Sequence, residues 1–246
     1  MEVLAAFGAG MGATTFLTGP ARLHADGAAA FYGVVGIEHL FAAAKWRVWY
    51  YGDNAYFNAG RGKFYRFTRC AFQETAPTVA PDHDRLRKLG VSVRPWAIGG
   101  RHIVVVEQSP HFLKLSGAGE GWLAETMITL RRHTDRPIII RPWSRSKAKI
   151  SATLEQDLKG AHALVTHMSA AANEALVAGI PVFCSIQCAA GAFSGGDLST
   201  IEHPLHRQGR EDWAARLAAA QWTLDELRAG AARKYFQGGI DKAIAP

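Results

Sequence analysis

The stretch DLKGAHALVTHMSAAANEALVAGIPVF, Asp157 to Phe183, decides how this chain is read. Ala163–Thr166 is a short apolar run of the kind that forms a strand buried in a parallel sheet. It delivers the chain to a turn at His167-Met168. Ser169 then opens a helix of small residues over Ser169–Ala178, its hydroxyl placed to cap the first turn. Gly179 ends that helix by permitting a left-handed residue, and Pro181–Cys184 makes the next strand. Free backbone N–H groups at a helix start attract anions, and Ala170, Ala171 and Ala172 let a ligand approach closely. Open α/β sheets bind ligands at the C-terminal ends of their strands, which is where this turn falls.

Working outward, the same rhythm continues on both sides. His102–Glu107 (HIVVVE) is a β-rich run, Trp122–Arg132 has helical spacing, Pro137–Ile140 reads as a buried strand and Ser151–Lys159 as a helix. Strands alternating with helices indicate βαβ units on a parallel sheet. Further out, Arg210–Ala229 reads as one long amphipathic helix. The first half is less regular. Glu2–Phe7 is expected as a strand, followed by a turn at Gly8, Gly10 and Gly12. Tyr32–Ile37 is a short apolar run, Glu38–Lys45 looks helical, and Val48–Tyr51 and Lys63–Thr68 read as strands. Asp82–Leu89 reads as a helix ended by Gly90. Pro95 and the glycines at 99 and 100 interrupt the pattern. The expected organisation is an N-terminal lobe over 1–95, a nucleotide-binding lobe over 96–205, and a helix and tail over 206–246.

The composition is that of a globular protein: 246 residues, 48% hydrophobic and 20% charged. No apolar run reaches the roughly 20 residues that cross a bilayer, and the apolar N-terminus lacks the basic start of a secretory leader. Three cysteines, Cys70, Cys184 and Cys188, suggest reduced thiols in a cytoplasmic setting. No partner with metal-ligand spacing follows the Cys184–Cys188 pair, so no metal is expected. GAGMG, Gly8 to Gly12, misplaces the third glycine of a dinucleotide fingerprint, and no phosphate-binding P-loop or hydrolase triad order is present. The net charge of +7 is clustered. Between Arg131 and Lys149 seven cations face one acid, Asp135, and Arg61, Lys63, Arg66 and Arg69 form a second run. Clustered arginine implies a phosphate-bearing partner, a nucleotide or a nucleic-acid backbone, although a solvated surface explains such runs equally well.

THMSAAANEALVAGIPVF resembles the donor-binding segment of GT-B glycosyltransferases, in which two Rossmann-like lobes face a cleft. The resemblance is strong over about 25 residues. The aromatic segment YYGDNAYF, KFYRFTR and AAAQWTLDELRAG also resemble phage and prophage proteins. The resemblance implies an α/β fold of two Rossmann-like lobes, with the C-terminal helix packing across. It implies a metal-independent glycosyltransferase that uses a nucleotide-sugar, a UDP-sugar by preference. Ser169, with Ala170 and the backbone after it, would hold the donor diphosphate, and Glu174 would accept hydrogen bonds from the ribose. Arg141, Arg145 and Lys147 would reach a phosphate, and His167 would touch the sugar or phosphate. The chain departs from the retaining enzymes that carry paired glutamates at this helix, since position 182 is Val.

Two carboxylates are candidate bases for an acceptor hydroxyl. Asp53 follows an aromatic strand, and Glu107 ends the HIVVVE strand. The favoured acceptor is a 5-hydroxymethylpyrimidine in phage DNA. The aromatic run Trp46–Phe57 would stack a flipped base, and Arg61, Lys63, Arg66, Arg69 and Arg132 would contact the nucleic-acid backbone. A polysaccharide or lipid-linked acceptor is the alternative within the same chemistry. A non-catalytic nucleotide- or DNA-binding module is the alternative outside it.

Overall fold

The computed structural model describes residues 2–13, 28–33, 48–57, 64–143 and 152–243. The helix expected at Glu38–Lys45, and Arg61, Lys63, Arg145 and Lys147, lie outside the described residues. The chain divides into two compact units, Met1–Leu89 with Asp212–Pro246, and Gly90–Glu211.

The first unit opens with a helix, α1 (Glu2–Met11), where a strand and glycine turn are expected from the sequence. The reason lies in packing. α1 buries Ala6 and Phe7, and Gly10 sits so close to another helix that a Cβ there would lie 1.8 Å from the Leu227 carbonyl. Glycine here permits helix contact instead of making a turn, which disposes of the GAGMG stretch as a phosphate-binding loop. Three strands follow: β1 (Ala29–Tyr32), β2 (Trp49–Asn54) and β3 (Tyr65–Arg69). β1 runs parallel to β2, while β3 is antiparallel to it. Among the described residues this unit is therefore a mixed sheet, and the expected parallel Rossmann-like lobe is not reproduced. A short helix, α2 (His83–Lys88), is capped by the Asp82 side chain, which accepts from the Arg85 N–H.

The long C-terminal helix expected over Arg210–Ala229 is broken into α7 (Arg210–Ala219) and α8 (Leu224–Arg228), followed by α9 (Ala231–Ala243). The break has a local cause. Trp222 exchanges both backbone hydrogen bonds with Tyr65, and Thr223 forms a capping box with Glu226 that starts a new helix. Phe7, Phe67, Trp222, Leu227 and Phe236 form one core cluster, with the rings of Phe7 and Phe67 stacked at 3.8 Å.

The second unit matches the sequence reading closely. Its strands are β4 (His102–Val106), β5 (Ile138–Arg141), β6 (Ala161–Thr166) and β7 (Val182–Phe183), in the order β5-β4-β6-β7, all parallel. The connecting helices are α3 (Pro110–Leu115), α4 (Trp122–His133), α5 (Leu154–Leu158) and α6 (Ala171–Val177). β4 and β6 are central and buried, with Ile103, Val105, Leu130, Ala163 and Val165 in one cluster. β5 is an edge strand, with Ile139 and Ile140 exposed, so its apolar run does not mark a buried strand. The chain goes from β4 outward to β5, then crosses back to β6 on the other side of β4. That reversal creates a switch point between β4 and β6, where open α/β sheets present a ligand crevice at the carboxyl ends.

Candidate functional site

At the switch point, β4 is followed by Glu107 and Gln108, and β6 by His167, Met168 and Ser169. The two ends are tied together: the Met168 N–H donates to Gln108 Oε1 at 2.8 Å, and Thr166 Oγ1 donates to the Val106 carbonyl at 3.0 Å. Ser169 Oγ accepts from the Ala171 N–H at 3.2 Å and so fixes the turn into α6. Among the described residues the Ser169 and Ala170 N–H groups have no acceptor, which leaves two adjacent donors at the carboxyl edge of the sheet. Cys188, wholly buried, places its Sγ 4.0 Å from the Ser169 carbonyl below this turn. The hydrogen bond with the Cys188 thiol, and then burial, push the Cys184 thiol well up, so the pair is inert packing.

Arg141 ends β5 beside Glu107. Its guanidinium donates to Asp157 at 2.6 Å and to the Ala152 carbonyl at 2.9 Å. It also acts on Glu174 across the sheet edge. Glu174 is an exposed residue whose carboxyl pKa is pushed up by desolvation, and the Arg141 charge pulls it partly back. Glu107 accepts from the Trp143 N–H at 2.9 Å. His167 is half-buried beside Phe112 and Trp122, its Nε2 lies 3.0 Å from Ser116 Oγ, and burial lowers its pKa. One turn into α6, the Asn173 carboxamide is completely buried, and both its polar atoms lack a hydrogen-bond partner. An orphaned buried amide costs about 1–3 kcal/mol.

The structure thus gathers Glu107, Arg141, His167, Ser169, Ala170 and Glu174 along one edge of the second unit. Sequence reasoning missed Gln108, Ser116, Asp157 and Asn173. Only Asn173 carried a signal, as a polar residue on the apolar face of a small-residue helix.

The remaining candidates lie elsewhere. Asp53 sits within β2 of the first unit, not beyond a strand end, and its carboxylate is already engaged. It accepts from Arg66 at 3.1 Å, from the Tyr51 hydroxyl at 3.2 Å and from the Asn54 N–H at 2.8 Å. Arg66 is not a backbone-phosphate contact. It is 4% exposed, and its guanidinium also donates to the carbonyls of Asn54 and Phe72. The described aromatics of the 46–57 run are largely packed into the first unit. Tyr51, Tyr56 and Phe57 are buried, while Trp49 and Tyr50 pack against Phe72 and Phe7. Arg69 is exposed at the end of β3. Arg132 is also exposed, and lines a hollow of about 600 Å³ with Arg101, Arg131 and Arg136. That hollow lies at the amino ends of β4 and β5, opposite the edge that carries the site. Among the described residues no group of acids, histidines and cysteines is placed to hold a metal, and no helix is long and apolar enough to cross a membrane.

The strand order and the crossover put the second unit in the open parallel α/β class that binds ligands at its switch point. No protein-family model matches the chain, and no curated protein matches it in sequence. Among solved structures, a β-Kdo 2,7 transferase, KpsC of Thermosulfurimonas dismutans, is similar with a TM-score of 0.48 and 14% identity, over 88% of this chain and 86% of that one. A β-Kdo 2,4 transferase KpsC from the same organism is similar with a TM-score of 0.43 and 12% identity, over 76% of this chain and 78% of that one.

Proposed function

We propose that the chain is a glycosyltransferase that takes a nucleotide-sugar donor and moves its sugar to a hydroxyl acceptor. The observation that supports this reading is the set of groups at one switch point: two free backbone donors, an arginine, and a desolvated carboxylate under that arginine's field. In this reading the Ser169 and Ala170 N–H groups and Arg141 receive the donor diphosphate. Fixed donors aimed at developing negative charge stabilise the departing phosphate, which is the main catalytic need of such a transfer. Glu174 accepts from the ribose hydroxyls, and Arg145 and Lys147 are further phosphate partners. A uridine nucleotide is the favoured donor. The packed aromatics and inward Arg66 favour a glycan hydroxyl over a flipped DNA base as acceptor. Incubation with a panel of nucleotide-sugars, with release of nucleotide followed by mass spectrometry of the sugar product, tests the reading. Nucleotide release that depends on an added glycan supports it. Nucleotide binding without release on any acceptor returns the chain to a non-catalytic binding module.

A further inference from the structure

We propose that His167 is the proton acceptor of this transfer, held as its Nε2–H tautomer by Ser116 so that Nδ1 is the accepting atom; the inference rests on the glycosyl-transfer reading above. Ser116 closes α3. Its hydroxyl has one hydrogen, donated to the Phe112 carbonyl at 2.8 Å. Toward His167 the same oxygen can only accept, so Nε2, 3.0 Å away, carries the proton. A neutral imidazole protonated at Nε2 has a bare lone pair on Nδ1.

That lone pair is available. Among the described residues Nδ1 has no partner. Nor is it among the buried orphaned side-chain atoms, which are Trp96 Nε1 and the two polar atoms of Asn173, so it retains open surface. It belongs to the residue directly after β6, two before Ser169, at the switch point itself. The two carboxylates read as bases from the sequence are less free. Asp53 already has three donors, and one Glu107 oxygen holds the Trp143 N–H. The surroundings favour the neutral ring. Phe112 and Ser116 at α3 and Trp122 at the start of α4 pack against it, and none of them titrates. Desolvation alone lowers its pKa. Lys114 on α3, Glu125 on α4, and Glu107, Arg141 and Glu174 along the edge contribute nothing to that shift.

In the step itself, Nδ1 takes the proton of the acceptor hydroxyl as that oxygen forms its bond to the anomeric carbon. The bond from that carbon to the phosphate oxygen breaks, and its electron pair leaves with the nucleotide. The resulting imidazolium, with a lowered pKa, returns the proton to solvent. Ser116 is a positioning residue, acting only through the ring.

Two measurements on the full chain test this. Long-range ¹H–¹⁵N NMR should find His167 in the Nε2–H form with its midpoint below the ordinary histidine value of about 6.5. An Nδ1–H tautomer, or a midpoint at or above that value, overturns the proposal. In transfer assays His167→Gln should lower kcat by about 10²- to 10⁴-fold with nucleotide affinity unchanged. Ser116→Ala should lower kcat and move the acidic limb of the pH profile, and Ser116→Thr should restore both. His167→Gln retaining more than about a tenth of wild-type kcat overturns the role while leaving the function intact. Wild-type protein that binds nucleotide-sugars but transfers to nothing, water included, overturns the function and this role together.

Discussion

Replacing Arg66 by methionine separates the two roles open to Asp53. Methionine keeps the apolar stem that packs among Tyr51 and Tyr56, whose rings lie 5.9 and 5.0 Å from the guanidinium carbon. It removes the donors to the Asn54 carbonyl at 2.9 Å, the Phe72 carbonyl at 2.6 Å and Asp53 at 3.1 Å. Breaking a buried pair by removing one partner costs about 3–5 kcal/mol. The Asp53 side chain is 33% exposed and can be rehydrated, which puts the expected loss near the lower end, about 3 kcal/mol. Asp53→Asn should cost less, about 1–3 kcal/mol, because the amide oxygen still accepts. The double variant should be more stable than the sum of the two losses by roughly 0.5–3 kcal/mol. Urea unfolding followed by circular dichroism reads all three. A loss below about 1 kcal/mol for Arg66→Met would rule out this structural role, since the orphaned carbonyls alone are worth that much. Strict additivity would refute it as well. Asp53→Asn should leave transfer activity near wild type. A fall of about 10²-fold or more would instead make Asp53 the base.

Three further outcomes are expected. The Glu174 carboxyl has a raised pKa, so its ionisation opposes folding above its titration range and not below it. Glu174→Gln should therefore raise the unfolding midpoint at pH 7–8, with the difference shrinking as the pH falls toward the ordinary glutamate value of about 4.3 and vanishing once both folded and unfolded carboxyls are protonated below it. Gly10→Ala should cost about 1–3 kcal/mol in urea unfolding, because the new methyl would meet the Leu227 carbonyl and force α1 off α8. Asn173→Leu should be neutral or stabilising, since it removes an unpartnered buried amide, and calorimetry showing a loss of more than 1 kcal/mol would contradict that.

The second unit was legible because its signals are local. HIVVVE marks a central strand, and Gly179 followed by Pro181 marks the end of a small-residue helix; Gly179 does take a positive φ, 83°. The errors came where tertiary contact overrode a local pattern. The apolar, glycine-containing start forms a helix because Gly10 lets α1 press against Leu227, a partner far along the chain. Three isoleucines at 138–140 look buried but occupy an edge strand. The helix over Arg210–Ala229 breaks because Trp222 pairs with Tyr65, a bridge no periodicity announces. The site follows the same rule. The turn at Ser169 could be read from neighbouring residues, whereas the Ser116–His167 and Arg141–Asp157 contacts join residues 51 and 16 apart and leave no spacing signal. Arg66 shows the limit of reading charge as surface, because a cation run does not reveal which member turns inward.

In the proposed reading the switch point between β4 and β6 holds a nucleotide-sugar. Amide hydrogen exchange with and without a saturating nucleotide-sugar is the decisive measurement, because it reports where the ligand sits. Slowed exchange confined to residues 107–117 and 166–177 is the expected result, and Glu174→Ala should weaken it at the same ligand concentration. Unchanged exchange in both segments with every nucleotide-sugar, or protection confined to the first unit, would contradict the account.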